Sequence, residues 1–166
     1  MDNLRIIAVT NEELVLSVCA MSDEILRTYF SSQANESQID EMLEHSFSLD
    51  ALIKEINNGH EYFLISYDYT FAGFSSVLEK DDVLVLDKLY IHPDFVTNEL
   101  YSAVLEKNIE LCKIRNLNKI QLICDKNNTY ALEIYKKAGF EIKNSETTQI
   151  GNSIKVENNI LEYSVK

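Results

Sequence analysis

Glycine and proline are scarce in this chain of 166 residues: the glycines are Gly59, Gly73, Gly139 and Gly151, and the one proline is Pro93. Such sparse punctuation leaves no Pro/Gly-rich linker, so residues 1–166 read as one compact domain with length enough for a substantial core. Long apolar runs are missing as well, and none approaches the roughly 20 residues of a membrane span. The opening MDNLRIIAVTNEEL meets an acidic residue at once and has no long apolar stretch of signal-peptide type. A cytoplasmic protein with no membrane partner is the expectation.

Cysteine is limited to Cys19, Cys112 and Cys124, an odd number without close pairing. These read as small buried hydrophobes in a reducing compartment, not as disulfides or a catalytic thiol. His45, His60 and His92 are scattered, with no Cys or His at ligand spacing, so no metal site is expected. Basic residues are the minority, 15 against 27 acidic ones, for a net charge of −12. Nucleic acid binding calls for a basic patch or stripe and is not expected here. The acidity either steers cationic partners toward the protein or only keeps it soluble, and composition leaves both open.

Periodicity supplies the elements. Leu4 to Val9 is β-branched and apolar, a first strand. Thr10, with Glu13 three residues on, suggests a capping box opening a helix. Asp23 to His45 reads as one or two further helical pieces, with Ile25, Leu26, Tyr29 and Phe30 on one side. Ser48 caps a helix carrying Leu49, Leu52, Ile53 and Ile56, and Asn58-Gly59 stops it. Tyr62–Tyr67 and Phe71–Leu78 form a hairpin, and Val83–Ile91 is a long central strand. After Pro93, a helix from about Val96 to Arg115 carries Leu100, Val104, Leu111 and Ile114 on one stripe. A strand at Lys119–Cys124 follows, then a helix at Asn127–Lys137 with Ala131, Ile134, Tyr135 and Ala138 in helical register, ended by Gly139. Phe140-Glu141-Ile142 starts another strand, and a last one lies near Ile160–Val165. The order β, helices, β-β-β, α, β, α, β, β implies an α/β domain: a mixed, mostly antiparallel sheet, a central parallel crossover, and helices on both faces.

Two motifs stand in this frame. LDKLYIHP (Leu86 to Pro93) ends the central strand, and NNTYALEIYKKAGFEI contains Asn128, Ala131, Tyr135, Gly139 and Phe140 in the spacing N-x-x-A-x-x-x-Y-x-x-x-G-F. In their joint order they resemble the general N-acetyltransferase (GNAT) superfamily over nearly the whole chain, most closely from Leu86 to Ile142. The layout looks most like the bacterial polyamine and small-amine acetyltransferases. The resemblance implies acetyl transfer from acetyl-coenzyme A to an amine, which needs a group that prepares the amine and an acid for the departing thiolate. It implies a small-molecule amine as partner, cationic if the acidity steers it, and leaves room for a homodimer.

By the same resemblance Tyr135 is the acid near the thioester sulfur, although its place beside Ala131 and Ile134 also suits packing on the sheet. Asn128 matches the asparagine that touches the cofactor, and it is equally a good helix cap. The N-x-T pattern at Asn127 has no bearing on a cytoplasmic protein. Asp87 interrupts an apolar strand where relatives often carry an acid, and a buried carboxylate needs a partner or a raised pKa. It is a candidate base or amine anchor, or else one half of a salt bridge with Lys88. Leu89, Tyr90 and Ile91 match strand residues whose backbone pairs with the pantetheine arm.

The phosphate turn departs from the family. Relatives read roughly Q/R-x-x-G-x-G/A after the proline, where bare backbone closes on the pyrophosphate at a helix N-terminus. Here Val96, Thr97, Asn98, Glu99, Leu100 and Tyr101 contain no glycine; Val96 replaces Gln/Arg, and Glu99 and Tyr101 replace the glycines. A carboxylate about 4 Å from a phosphate repels it by about 1 kcal/mol in water and about 4 at a surface dielectric. Two alternatives to an active enzyme follow: a catalytically silent GNAT-like binding or interaction module, and an amine or polyamine sensor prompted by the charge.

Overall fold

Residues 3–165 are described by a computed structural model. Strand β1 (Leu4–Ala8) leads into α1 (Glu12–Tyr29), whose cap is Asn11 and not Thr10: the Asn11 side chain accepts the Leu14 N–H at 2.9 Å. Asparagine is the stronger cap, and it sets Glu12 and Glu13 in the first turn, where the helix dipole favours them. The helix runs unbroken through Asp23, where a separate piece was expected, because Val15, Val18, Ser22, Ile25 and Leu26 form one continuous buried face. Helix α2 (Glu36–Phe47) opens with a reciprocal capping box of Asn35 and Gln38, and Ser48 caps α3 (Leu49–Asn57) as expected.

Strands β2 (Glu61–Tyr67), β3 (Thr70–Lys80) and β4 (Val83–Ile91) form an antiparallel meander. Its turns, Asp68-Tyr69 and Asp81-Asp82, have positive φ at both residues, the backbone whose twist suits two-residue hairpins. A 3₁₀ turn at Pro93–Phe95 precedes α4 (Asn98–Ile114), which starts after Val96 because Thr97 is its cap. The buried face of α4 is Leu100, Tyr101, Val104, Leu105, Asn108 and Cys112, whereas Ile114 is 70% exposed. At 100° per residue Ile114 lies about 120° round the helix from the centre of that face.

Strand β5 (Lys119–Asp125), α5 (Thr129–Lys137), β6 (Glu141–Ile150) and β7 (Ile154–Ser164) complete the chain. Ala138, expected on the inner face of α5, is the exposed C-cap. Strand β7 begins earlier than Ile160, since the pair Asn158-Asn159, which looks like a turn, is buried in the ladder with Asn158 Nδ2 donating to Thr148 Oγ1 at 3.0 Å.

The sheet has seven strands in the order β1-β2-β3-β4-β5-β7-β6, antiparallel except for the β4–β5 pair. On one face α1–α3 bury Leu26, Met42 and Leu52 against Tyr62, Leu64 and Phe74. On the other, α4 and α5 cover Ile65, Leu84, Leu86, Ile120 and Leu122. Each such side chain withdrawn from water stabilises the fold by about 1.5–3 kcal/mol before chain entropy is set against it. Together the two cores hold the sheet rigid around its one parallel pair.

Candidate active site

Strands β4 and β5 pair only from Val83–Lys119 to Leu86–Leu122. Beyond Leu86 they part. Lys88, Leu89, Tyr90 and Ile91 keep partners in β3, while the backbone edge toward β5 has none among the described residues. A bulge marks the parting: Ser76 pairs with Lys88 and Val77 with Leu86, so Asp87 is skipped. A bulge bends its strand and re-aims a side chain, and Asp87 is the residue re-aimed. Gly73 lets the strands stay close beyond it, for a Cβ there would stand 2.3 Å from the Tyr90 carbonyl oxygen.

Helices α4 and α5 start just beyond the carboxyl ends of these parallel strands, where open α/β sheets take their ligands. A cavity of about 520 Å³ opens in the gap. Leu89 and Tyr90 of β4, Cys124 and Asp125 of β5, and Asn128 and Tyr135 line one side. Helices α1–α3 and the β6–β7 pair close the other, with Tyr29, Glu55 and Glu146 among their contributions. The helical region between Asp23 and Asn57 thus shapes the cavity.

Tyr135 is both core and cavity wall. It is 4% exposed, its ring stands 6.0 Å from that of Tyr101 and 6.3 Å from that of Phe140, and it borders the cavity. Burial pushes its phenol well above the ordinary 10, so it stays protonated. Asn128 caps α5, accepting the Ala131 N–H at 3.2 Å, and also lines the cavity. Cys124 lines it too; burial pushes its thiol up to about 12, which leaves it unreactive. Ile91 is buried at the end of β4.

The segment from Val96 to Tyr101 lies around the α4 N-terminus, outside the cavity lining. Thr97 Oγ1 accepts the Leu100 N–H at 3.2 Å, Leu100 is buried, and Glu99 is exposed in the first turn. Asn98 Oδ1 receives the Tyr130 hydroxyl at 2.6 Å, tying α5 to α4. Tyr101 corrects the sequence expectation. It does not crowd the phosphate turn but is 4% exposed, with its ring 6.0 Å from each of Tyr130 and Tyr135. Because the helix starts at Asn98, Tyr101 falls on the sheet-facing side, and burial of its ring decides its direction.

Asp87 is not a lone buried acid. Its Oδ2 lies 3.0 Å from Lys88 Nζ and 3.2 Å from His60 Nε2. Lys88 also donates to both oxygens of Glu55 at 3.2 Å, and Glu55 accepts the Tyr62 hydroxyl. Burial pushes the Asp87 carboxyl up, but the His60 hydrogen bond and the Lys88 charge outweigh it and hold the group below the ordinary 3.8. The adjacent-lysine salt bridge expected from sequence is present, within a larger cluster. Scattered in sequence, His60 comes together in space with Glu55 and Asp87, each offering an atom within 4.8 Å of the others. That spacing would admit a metal ion, but the Lys88 ammonium already supplies the cation.

Sequence reasoning missed His60, Glu55, Tyr29 and Asp125. The Tyr29 hydroxyl donates to Asp125 Oδ2 at 2.5 Å, linking α1 to the end of β5. A signal for His60 was present. Gly59, at φ 106°, ends α3 in a Schellman turn in which the Gly59 N–H meets the Ile56 carbonyl and the His60 N–H meets the Glu55 carbonyl. The turn that stops the helix therefore sets His60 next to Glu55; its approach to Asp87 depends on the β4 bulge.

A sheet that parts between two parallel strands, with a cavity at their carboxyl ends and a buried phenol on its wall, defines an α/β protein with an open strand edge beside that cavity. The chain matches the model of the acetyltransferase (GNAT) family over residues 20–140, and it belongs to that family. It is 34% identical over 72 residues to an uncharacterized N-acetyltransferase of Methanocaldococcus jannaschii, a match covering 43% of this chain and 32% of that protein, so the chain spans about a third of that relative's length. Among solved structures, the PaiA N-acetyltransferase of Thermoplasma acidophilum in complex with coenzyme A superposes with a TM-score of 0.77 at 17% identity, covering 97% of this chain and 98% of that one. The ribosomal-protein-S18-alanine N-acetyltransferase of Escherichia coli gives 0.71 at 14% identity, covering 98% and 94%. The spermidine N-acetyltransferase of Vibrio cholerae, in complex with CoA and spermine, gives 0.67 at 15% identity, covering 99% and 96%.

Proposed function

We propose that the protein is an N-acetyltransferase that takes acetyl-coenzyme A as donor and acetylates a primary amine of a small molecule or polyamine. The parted β4–β5 edge carries this reading. The open N–H and C=O groups of Leu89 and Ile91 suit an amide-bearing pantetheine arm laid alongside as an added strand, whereas those of Tyr90 between them face β3. The first-turn N–H groups of α4 and its dipole suit the phosphates, and Asn128 sits on the cavity wall beside the arm's path. Acetyl-coenzyme A supplies the acyl group activated as a thioester. Tyr135 keeps its proton by burial and holds it for the departing thiolate.

Asp87 acts as an amine anchor. Its Oδ1 is buried with no hydrogen-bond partner among the described residues, so it is an acceptor ready for an amine N–H. Held below the ordinary carboxylate range, it orients the amine and is a weak proton acceptor, so the amine gives one proton to solvent water before attack. The proton the amine loses as the C–N bond forms and the C–S bond breaks restores the one Tyr135 gives the thiolate. Asp125 and Glu146 on the lining, with the net charge of −12, favour a cationic acceptor. The structural neighbours named for coenzyme A and for spermidine support a donor and an acceptor of these kinds.

The test is calorimetric titration with acetyl-coenzyme A, followed by turnover against a panel of primary amines. Saturable binding is expected, with Tyr135→Phe lowering kcat about 100-fold. Folded protein that gives no heat at millimolar donor overturns the reading.

A second reading, the silent module, rests on Val96 and Glu99, which stand where the resemblance expects a Gln or Arg and a glycine. An exposed carboxylate in the first turn of α4 opposes phosphate binding. If only the Glu99→Gly variant binds acetyl-coenzyme A, the native chain is such a module.

A further inference from the structure

We infer that His60 is a positioning residue for the acceptor amine: it holds Asp87 by one carboxylate oxygen and so keeps the other directed to the amine. The inference rests on the acetyltransferase reading above. The α3 Schellman turn fixes the His60 backbone, with its N–H 3.0 Å from the Glu55 carbonyl. From there Nε2 reaches Asp87 Oδ2 at 3.2 Å, the same oxygen that Lys88 meets at 3.0 Å. Both cationic groups thus draw on Oδ2. Oδ1 is left buried without a partner, on a residue that the bulge turns to the cavity.

The ring chemistry follows from its neighbours. Nε2 faces a carboxylate, so it bears hydrogen in both charge states, and the neutral ring is the Nε2–H tautomer. Nδ1 is buried without a partner, a bare acceptor in the neutral ring and a desolvated donor in the cation. Asp87 and Lys88 face the ring from β4, and Glu55 from α3 at 3.9 Å, itself held by Tyr62 of β2. The Asp87 hydrogen bond is the main force raising the ring's pKa above 6.5; burial and Lys88 oppose it. When the ring loses its proton, Asp87 loses one of its two cations but keeps the Nε2–H bond. Its geometry is preserved while its free oxygen becomes a stronger acceptor. Amine binding and turnover therefore strengthen as pH rises through the His60 midpoint.

Two measurements on the full chain test this. In an NMR titration of the labelled imidazoles, the His60 midpoint is expected above 6.5 and should fall in Asp87→Asn. A midpoint that does not move in that variant overturns the inference. In the second, kcat/KM for a primary amine with acetyl-coenzyme A is followed from about pH 5.5 to 8.5 in wild type, His60→Gln and His60→Ala. Beyond the rise that loss of the amine's own proton gives every variant, the wild type is expected to show an added rise of about tenfold through the His60 midpoint. His60→Gln, which retains an N–H donor and does not titrate, should lose that added rise and keep an amine KM near that of the wild type. His60→Ala should raise the amine KM about tenfold and leave that of acetyl-coenzyme A unchanged. If His60→Gln keeps the wild-type pH profile, the role is structural only and the inference fails, even with coupling seen by NMR. If the wild type turns over no amine, the acetyltransferase reading and the amine role fall together, while the NMR arm still decides the Asp87 pairing.

Discussion

Lys88 shows what a single side chain decides in this site. Its ammonium, 15% exposed, stands between Glu55 and Asp87, and it is the reason two acids can border one cavity. Lys88→Met leaves those carboxylates facing each other with His60 as the remaining cation, and is expected to cost about 3 kcal/mol in urea unfolding at pH 7. Near pH 4 the loss should be smaller, because protonating one acid removes the repulsion. The His60–Asp87 pair has its own pH window. His60 is raised above 6.5, so its contribution is complete below pH 6.5 and fades as pH rises through the folded value. Asp87 is lowered below 3.8, so its contribution is complete above pH 3.8 and fades as pH falls through the folded value. The Tm difference between wild type and His60→Ala is therefore expected to peak between pH 3.8 and 6.5 and to shrink as pH rises through the folded His60 value. Asp87 and Tyr135 were legible in the sequence because each sits inside a spaced motif. His60 and Glu55 were not, because a turn and a bulge from separate elements bring them to Asp87.

In the proposed function the start of α4 is the element on which donor affinity would turn. The motif spacing set Glu99 and Tyr101 together as losses of glycine, but the helix separates them: Glu99 is exposed beside the dipole end, and Tyr101 is sealed beneath α5. The two substitutions should act oppositely. Removing the Glu99 charge recovers at least about 1 kcal/mol of repulsion, so Glu99→Gly is expected to tighten acetyl-coenzyme A about fivefold by calorimetry. Tyr101→Gly instead empties a core position and should cost about 3–5 kcal/mol in chemical unfolding, with no gain in affinity. Equal gains from both would show that the Tyr101 side chain does obstruct the donor. Helix registers near Ile114 and Ala138 were misjudged for a related reason. Apolar residues in a last turn fit a periodic pattern, but only the neighbouring sheet determines whether that turn is covered.

Across the whole molecule the charge of −12 would oppose the proposed polyanionic donor and favour the proposed cationic acceptor. Added salt screens long-range repulsion, with a Debye length of about 10 Å at 0.1 M. Raising salt from about 0.05 to 0.3 M is therefore expected to tighten acetyl-coenzyme A and to weaken a polyamine acceptor, read as opposite shifts in the two KM values. A parallel shift would remove the electrostatic argument for a cationic acceptor. No helix among the described residues is long and apolar enough to cross a membrane. The sequence by itself determined the order of elements, the hairpin of Tyr62–Tyr67 with Phe71–Leu78, the α/β class and the motifs at Asp87, Asn128 and Tyr135. Those depend on local periodicity, on turn residues and on spacing within a single segment. Only the tertiary structure decided where β4 and β5 part, that Tyr101 is core, and that Lys88 and His60 share one oxygen of Asp87. Those facts depend on strand register and on which surfaces cover one another, and no local stretch of chain carries either.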